Sequence, residues 1–184
     1  MLMQPVTIYT KLYHSPCGDV VLGEAGSRVC LCNWTKEMHP GMVERRLRRL
    51  LNARFVEADG DVVTETARQL DEYFAGKRSV FDLPLLHTGT DFQKAVWNFL
   101  PVIRYGETMS YQALAVALDV PRAVRAVANA VGANALSIIV PCHRIVGSGG
   151  GLTGYAGGLN VKKYLLALEK TYLSQCSCST LKNS

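Results

Sequence analysis

The chain has 184 residues, of which 48% are hydrophobic and 19% are charged, and its net charge is +5. This composition is typical of a globular protein with a packed core and excludes collagen, coiled coil and intrinsic disorder. No apolar run approaches the roughly 18 residues that cross a bilayer. Residues 1–10 lack a basic segment followed by an apolar one. We therefore expect an intracellular protein with neither a membrane span nor a secretory signal.

The positive charge is unevenly distributed along the chain. Residues 1–89 carry 11 basic and 11 acidic side chains, whereas residues 90–170 carry 8 basic and 4 acidic ones. The basic excess favours a polyanionic partner for the second half, although many proteins with this charge bind no nucleic acid. The six cysteines are expected to be free thiols, because an intracellular compartment is reducing.

The first half alternates strand-like and helix-like segments and predicts a small α/β domain over residues 1–89. Three β-rich runs are separated by turn residues at Ser15–Gly18 and Gly26–Ser27: Val6–Tyr13, Val20–Leu22 and Val29–Trp34. Two segments with apolar residues at helical spacing follow: Met42–Leu51 and Val63–Phe74. Gly76 is placed to end the second helix.

The segment Leu83–Gly89 has no clear period, so we place a domain boundary there, with a second domain at 90–171 and a flexible tail at 172–184. Thr90 and Gln93 form a capping box for a helix that Pro101 ends.

Two short helices then follow at helix-turn-helix spacing. Ser110 is expected to cap the helix Tyr111–Leu118, and Pro121 to lie in the first turn of the helix Arg122–Val131. The glycine-rich segment Gly147–Gly158 is predicted to be a loop. Asn160 is expected to cap a last helix whose core-facing residues are Val161, Tyr164, Leu165 and Leu168.

The hexapeptide Pro141–Val146 carries the strongest chemical indication. A thiol is nucleophilic as the thiolate, and the neighbouring His143 and Arg144 are side chains that favour this form, so Cys142 is a candidate nucleophile. A buried structural cysteine is the alternative, because adjacent residues need not face each other.

The helix Arg122–Val131 is a candidate DNA-binding element. It consists largely of alanine and valine, and Arg122 and Arg125 are its only charged residues. Its exposed side could therefore approach a DNA groove closely. An ordinary amphipathic helix with solvated arginines is the alternative.

Residues 91–170 closely resemble the O6-alkylguanine-DNA alkyltransferases, which move the O6 alkyl group of guanine onto a protein cysteine. The resemblance lies in seven segments in the family's order and spacing: Asp91-Phe92-Gln93, Tyr105-Gly106-Glu107-Thr108, Ser110-Tyr111, Arg125-Ala126-Val127, Asn134, Pro141-Cys142-His143-Arg144 and Gly154-Tyr155-Ala156-Gly157-Gly158. Upstream, Ser15-Pro16-Cys17-Gly18 and Asp71-Glu72-Tyr73-Phe74 resemble bacterial-type members. The resemblance implies a ribonuclease-H-like α/β domain followed by a helical, winged helix-turn-helix-like alkyltransferase domain.

The resemblance also implies roles at the reacting centre. Glu169 would orient His143, which would take the thiol proton of Cys142 through a bridging water. The resulting thiolate would attack the alkyl carbon in line, once per protein molecule. Tyr111 would neutralise charge on the departing base.

Further roles follow for DNA and for the base pocket. Arg125 would fill the position vacated by a flipped guanine, and Tyr111, Ala123 and Ala126 would also contact DNA. The implied pocket residues are Asn134, Ile145, Tyr155 and Ala156.

The implied partner is double-stranded DNA carrying O6-alkylguanine, bound by a monomer that needs no cofactor. O4-alkylthymine is a second expected substrate. The implied location is the cytoplasm, in association with the nucleoid, or the nucleus.

Three positions depart from common members of the family: Ala135 follows Asn134 where many have proline, Ser137 replaces proline, and Ala156 replaces serine. These changes affect the expected tolerance for bulky alkyl groups. They do not affect the reaction.

Other functional classes are open to this sequence. A lesion sensor of the same family would lack the cysteine, and a thiol hydrolase would have no use for the helix pair and Arg125. A transcription regulator would need an effector domain for which the chain lacks room.

The first domain contains six cysteine and histidine side chains of the types that bind metal ions. Its cysteines and histidines match no standard zinc spacing, so we expect no metal: His14, Cys17, Cys30, Cys32, His39 and His87. The arginines of the segment Met42–Leu51 are expected to form a solvated helix face rather than a DNA contact.

Overall fold

The first half folds around a four-stranded sheet in a computed structural model that describes residues 5–180, with side-chain surroundings described for residues 5–173. The strands are β1 (Val6–Ser15), β2 (Gly18–Ala25), β3 (Arg28–Trp34) and β4 (Ala53–Glu57), and they lie in the order β3-β2-β1-β4. The pairs β1–β2 and β2–β3 are antiparallel, and β4 runs parallel to β1. No helix in the described part of the chain is long and apolar enough to cross a membrane.

Two helices accompany this sheet: α1 (Met42–Leu51) and α2 (Asp61–Phe74). Helix α2 contacts β1, β2 and β3, and its buried side includes Leu70 and Tyr73. The predicted α/β class of this half is confirmed. Strand β4 was not predicted, because an edge strand of 5 residues with mostly exposed side chains has no apolar alternation long enough to recognise.

The second half is mainly helical, as predicted. Its elements in chain order are α3 (Asp91–Phe99), a 3₁₀ turn (Leu100–Val102), β5 (Met109–Ser110), α4 (Tyr111–Ala117), α5 (Val124–Gly132), a 3₁₀ turn (Cys142–Arg144), β6 (Ile145–Val146) and α6 (Leu159–Thr180). Strands β5 and β6 pair in parallel. The segment between β6 and α6 is a loop, which confirms the glycine-rich prediction.

Local capping sets the starts of two of these helices. Thr90 and Gln93 exchange side-chain to backbone hydrogen bonds and so form the predicted capping box of α3. The Ser110 side chain accepts a hydrogen bond from the backbone N–H of Ala113 and caps α4. Both caps satisfy N–H groups that the first helical turn leaves without partners.

Two predicted helix starts were wrong. Helix α5 begins at Val124, because the backbone N–H of Ala123 bonds to Val120 in a separate turn that contains Pro121. Helix α6 begins at Leu159, directly after Gly158 with φ +84°, so Asn160 lies inside the first turn.

The core-facing side of α6 also differs from the prediction. Tyr164 is 37% exposed, whereas Lys162, Leu165 and Glu169 are completely buried. The buried face of α6 therefore differs from the face that the apolar residues predict, because Lys162 and Glu169 are buried where partners inside the protein satisfy their charges.

The expected flexible tail at 172–184 begins too early. Helix α6 continues to Thr180, and a Cβ atom added to Gly76 would lie within 2.0 Å of the Tyr172 ring, which shows how closely the two segments pack. The hydroxyl of Tyr172 also donates to the carbonyl oxygen of Phe74 at 3.5 Å. Residues 181–184 lie outside the described part of the chain.

The two halves meet along the outer edge of β3. The backbone N–H of Cys32 donates to Ala135, and the N–H of Ser137 donates to Cys32, both at 2.8 Å. Further along the same edge, Val29 exchanges backbone hydrogen bonds with Pro84 and Leu86, which lie at the end of the first half. The sheet edge thus holds the segment that leads into the 3₁₀ turn at Cys142.

Candidate functional site

Cys142 lies at the start of a 3₁₀ turn and is 5% exposed. Its Sγ accepts a hydrogen bond from Nδ2 of Asn134 at 3.2 Å. The same amide nitrogen donates to the carbonyl oxygen of Val140, and Oδ1 accepts from the N–H of Leu136, both at 2.9 Å. Asn134 therefore fixes the turn before Cys142 and contacts the thiol directly.

This turn contains a backbone conformation that a β-branched residue rarely adopts. Ile138 has φ +70° and is 1% exposed. Such a residue is strained, and surrounding contacts must hold it in place. The backbone bonds from Ser137 to Cys32 and from Val140 to Leu136 supply those contacts, each at 2.8 Å.

Opposing effects act on the Cys142 thiol. Burial is the largest effect and raises its pKa, whereas the hydrogen bond from Asn134 and the positive charge of Lys162 lower it. The net pKa is above the usual value. At neutral pH the thiol is therefore protonated and needs a base to become a thiolate.

His143 is the adjacent base, and it is completely buried. Its Nε2 lies 2.8 Å from Oε1 of Glu169. Burial lowers the pKa of His143 although Glu169 opposes this shift, so the imidazole is neutral at neutral pH. Its Nδ1 is buried and has no hydrogen-bond partner among the described residues.

Glu169 is the acceptor of a dense set of hydrogen bonds. Arg144 donates from Nε to Oε2 at 3.0 Å and from Nη2 to Oε1 at 2.9 Å. The Tyr73 hydroxyl donates to Oε1 and the Gly106 N–H donates to Oε2, both at 2.9 Å. Burial alone would raise the pKa of the Glu169 carboxyl, but the hydrogen bonds and charges of His143 and Arg144 lower it to about 2.

Lys162 is completely buried and binds three backbone carbonyl groups. Its Nζ donates to Ile145 at 2.5 Å, to Thr153 at 2.7 Å and to Gly154 at 3.4 Å. It also lies 6.0 Å from the centre of the Tyr111 ring. Lys162 thereby joins α6 and β6 to the glycine-rich loop.

Residues from the first half of the chain also contact the glycine-rich loop. Nε1 of Trp34 donates to the hydroxyl of Tyr155 at 3.2 Å, and the N–H of Met38 donates to the carbonyl oxygen of Ala156 at 3.0 Å. A Cβ atom at Gly157 would lie 2.7 Å from the Trp34 ring. Only glycine allows the loop to approach the indole this closely.

A cleft of about 870 Å³ leads towards the thiol. Its lining includes residues of α4, the turn before α5, α5, the glycine-rich loop and the segment before α1: Tyr111, Arg122, Arg125, Thr153, Gly154, Tyr155, Ala156, Glu37, Met38 and His39. At its inner end a narrow cavity of about 10 Å³ borders Cys142 and shares Gly132, Gly154, Tyr155 and Ala156 with the cleft. The cavity beside the thiol and the cleft are therefore adjacent, and these four residues lie between them.

Four of the site residues predicted from the sequence line this cleft: Tyr111, Arg125, Tyr155 and Ala156. Asn134 and Cys142 border the inner cavity. Arg125 and Ala126 are exposed on α5, and Ala123 lies at its N-terminus. The Tyr111 hydroxyl donates to the carbonyl oxygen of Thr153 at 3.5 Å. Ile145 lines neither the cleft nor the cavity, and its carbonyl oxygen is bound by Lys162.

Sequence reasoning missed three supports of the site: Lys162, Tyr73 and Trp34. Lys162 was detectable, because it shares the helical face of Leu165, Leu166 and Glu169 at spacings of three, four and seven residues. Tyr73 and Trp34 had no such pattern, since their partners lie far away in the chain.

The thiols and imidazoles of the first half do not converge. Within the part of the chain that the structure describes, no group of three or more His, Cys, Asp or Glu side chains is arranged to hold a metal ion. Cys17, Cys30, Cys32 and Cys142 are free thiols, and the side chains of Cys176 and Cys178 lie outside the described ones.

Two family models match the chain. Residues 8–86 match the ribonuclease-like domain of 6-O-methylguanine DNA methyltransferase, and residues 91–171 match its DNA binding domain. Together they confirm the predicted fold class, in which a ribonuclease-like α/β layer precedes a helical DNA-binding part.

Individual relatives and solved structures agree with this match. A methylated-DNA–protein-cysteine methyltransferase of Methanosarcina barkeri is 43% identical over 166 residues, covering 90% of this chain and 99% of that protein. An inducible one of Bacillus subtilis is 43% identical over 145 residues, covering 79% and 74% of the two chains. The crystal structure of Mycobacterium tuberculosis OGT in complex with DNA superposes with a TM-score of 0.75 at 38% identity, covering 90% of this chain and 94% of that one.

Proposed function

The chain belongs to the 6-O-methylguanine DNA methyltransferase family, and from this membership we propose that it repairs DNA by moving the alkyl group of O6-alkylguanine onto Sγ of its own Cys142. The protein is a methylated-DNA–protein-cysteine methyltransferase. The observation that carries the choice of Cys142 is its position at the inner end of the cleft beside a buried His143–Glu169 pair.

The proton route follows from the two nitrogens of His143. Nε2 is held by Glu169 at 2.8 Å, so Nδ1 is the nitrogen left to accept a proton. Through a bridging water, the thiol proton passes to Nδ1 and leaves a thiolate beside an imidazolium. Glu169, with its pKa of about 2, remains a carboxylate and stabilises the imidazolium.

The transfer itself is a displacement at the alkyl carbon. The thiolate electron pair forms the S–C bond while the bond from that carbon to O6 breaks, and the electron pair stays with the guanine. Tyr111, on the cleft wall, neutralises the developing charge by donating a hydrogen bond to the base. The product thioether is stable, and no second thiol among the described residues lies in the cleft lining to remove it, so each molecule reacts once.

Duplex DNA binds along the exposed side of α5. Cys142 is 5% exposed and borders only a small cavity, so a stacked guanine cannot present its O6 substituent to Sγ, and the base must leave the duplex. Arg125, exposed on α5, fills the vacated position, while Ala123 and Ala126 permit a close approach to the groove. Asn134, Tyr155 and Ala156 hold the extruded base.

We also propose that the protein acts as a monomer inside the cell, in the cytoplasm or the nucleus, and that O4-alkylthymine is a second substrate. Thymine has a smaller ring than guanine and carries a methyl group at position 5. The alkyl carbon that the thiolate attacks is nevertheless the same in the two lesions. A thiol hydrolase, the alternative from the sequence, would release product many times per molecule.

The deciding experiment is mass spectrometry of the intact protein after incubation with an O6-methylguanine duplex. We expect one added methyl group, about 14 Da, on the peptide that contains Cys142. An unmodified guanine duplex serves as the control and should add no mass. Methylation mainly at Cys17, Cys30 or Cys32, or release of more than one product per protein molecule, would overturn the proposal.

A further inference from the structure

One support of the reacting centre comes from the first half of the chain. Tyr73 lies near the end of α2 and is completely buried. Its hydroxyl donates to Oε1 of Glu169 at 2.9 Å, across 96 positions of sequence. Its ring packs edge-on against Tyr105, with 5.9 Å between the ring centres. The ring also packs against Phe81 of the first half, with 5.6 Å between the ring centres, so residues of both halves direct the hydroxyl into the site.

The oxygen that Tyr73 contacts is the one that holds His143. Oε1 of Glu169 also accepts from Nε2 of His143 at 2.8 Å and from Nη2 of Arg144 at 2.9 Å. Nε of Arg144 donates to the same oxygen at 3.3 Å, so four donor groups compete for its negative charge. Each donor therefore weakens the pull of Glu169 on the proton of His143.

We propose that Tyr73 is a positioning residue for methyl transfer: its hydroxyl fixes Oε1 of Glu169 and moderates the charge that this oxygen presents to His143. The inference rests on the proposed function, because it concerns the base that activates Cys142. Burial and the charge of Glu169 raise the pKa of Tyr73 well above its usual value, so the hydroxyl keeps its proton and remains a donor.

Removal of the Tyr73 hydroxyl should change the pKa of His143 in one direction. Without this donor, Glu169 attracts the imidazolium of His143 more strongly, and the pKa of His143 rises. A base with a higher pKa is protonated over a wider acidic range and cannot take the thiol proton there. The acid side of the rate profile therefore moves to higher pH when Tyr73 loses its hydroxyl.

Other titratable or charged groups also face His143 and Glu169, and the test leaves all of them in place. They come from the active-site turn, the segment before β5, the glycine-rich loop and α6: Cys142, Arg144, Tyr105, Tyr155 and Lys162. A shift on changing Tyr73 alone is then due to Tyr73.

The test measures the single-turnover rate of Cys142 methylation by an O6-methylguanine duplex at saturating protein, from about pH 5 to pH 9. In Tyr73→Phe we expect the acid midpoint to rise by about 0.5 to 1 pH unit, which slows the reaction about three- to tenfold on the acid side. Tyr13→Phe is the matched control. It removes a tyrosine hydroxyl that donates to a carboxylate, Asp71, at 2.8 Å on the same helix α2, and it should leave the midpoint unchanged.

A second variant separates this role from simple structural support. Replacement of Tyr73 by 3-fluorotyrosine keeps the shape of the side chain and makes the hydroxyl a stronger donor, so the acid midpoint should fall. This variant also decides the question if Tyr73→Phe does not fold. An unchanged midpoint in the fluorinated protein, or an unchanged or lowered midpoint in a folded Tyr73→Phe, overturns the proposal.

Methyl transfer by the wild-type protein distinguishes the proposed function from the proposed role of Tyr73. If it fails to transfer a methyl group to Cys142, the proposed function fails and the role of Tyr73 fails with it. If wild-type transfer is normal and the Tyr73 variants share its profile, only the role of Tyr73 fails.

Discussion

The ammonium nitrogen of Lys162 lies 2.7 Å from the carbonyl oxygen of Thr153, which ties the last helix to the glycine-rich loop beside the thiol. The same nitrogen lies 2.5 Å from the carbonyl oxygen of Ile145. Burial lowers the pKa of Lys162 to about 8. A pKa of about 8 leaves the side chain mostly charged at neutral pH, and its ammonium group donates to three backbone carbonyl oxygens.

Lys162→Met should destabilise the protein and loosen the loop. The change leaves buried carbonyl oxygens without a donor, which costs about 2–4 kcal/mol of unfolding free energy, and we expect slower methyl transfer as well. Lys163→Met, at the exposed neighbouring position, is the control and should change the unfolding free energy by less than about 0.5 kcal/mol. Urea denaturation measures both; equal stability of the two variants would contradict the role of Lys162.

Cys142→Ser should abolish methyl incorporation while the protein still binds duplex DNA, because a hydroxyl in this setting is a far weaker nucleophile than a thiolate. The half-buried Cys17 is a free thiol outside the cleft lining, so Cys17→Ser should react like the wild type. Incorporation of labelled methyl groups from DNA measures transfer, and a mobility-shift titration measures binding. Transfer that survives in Cys142→Ser and is lost in Cys17→Ser would reassign the acceptor.

Arg125→Ala should slow transfer from duplex DNA by at least about tenfold and leave the reaction with free O6-methylguanine nearly unchanged, since only the duplex requires a base to be extruded and replaced. Lys94→Ala removes one positive charge from α3, where Lys94 lies 3.7 Å from Asp91, and controls for the loss of charge alone. Rates are compared for both substrates at equal salt. Equal slowing on the duplex and on the free base would rule out a stacking role for Arg125.

Glu169 should make the free energy of unfolding depend on pH in the acid range. Its pKa is lowered from 4.5 to about 2 in the folded protein, so its carboxylate stabilises the fold above pH 4.5. That contribution, of about 3 kcal/mol, is lost as the pH falls from 4.5 towards 2. Glu169→Gln should therefore be less stable than the wild type at pH 7, and the difference should shrink on acidification.

Glu65→Gln is the control for this prediction. The hydrogen bonds from Arg68 and Gln69 also lower the pKa of Glu65 to about 2, but its carboxylate is exposed, and solvent screens exposed ion pairs. We expect a much smaller stability change at pH 7. Thermal unfolding at several pH values compares the variants, and a stability difference for Glu169→Gln that is constant with pH would contradict the assignment.

Methylation of Cys142 should destabilise the protein. The cavity beside Sγ holds only about 10 Å³, and Asn134 donates to the sulfur at 3.2 Å, so an added methyl group must displace neighbours. Overpacking of this kind costs roughly 1–3 kcal/mol, which corresponds to a fall in Tm of roughly 2–10 °C. Calorimetry of the protein before and after one equivalent of lesion DNA, with unmodified DNA as the control, measures it; an unchanged or higher Tm would show that the site accommodates the product.

The sequence by itself determined the features that depend on neighbouring residues. Thr90 and Gln93 specify a helix start because their hydrogen bonds close within one turn. The β-branched and aromatic residues of Val6–Tyr13 indicate a strand because such side chains fit a pleated sheet surface. The resemblance carried by Pro141-Cys142-His143-Arg144 indicated the cysteine. Where the local pattern was weak, as in the exposed strand β4 or the turn around Pro121, the prediction failed.

Only the tertiary structure decided what surrounds the thiol. Tyr73 and Glu169 are 96 positions apart, and Trp34 and Tyr155 are 121 positions apart, so no local pattern relates them. Lys162 and Glu169 break the apolar pattern of α6, because each is buried only where partners from other segments satisfy its charge. The pKa values of Cys142 and His143 depend on the same burial, which arises when the two halves pack together and exclude water.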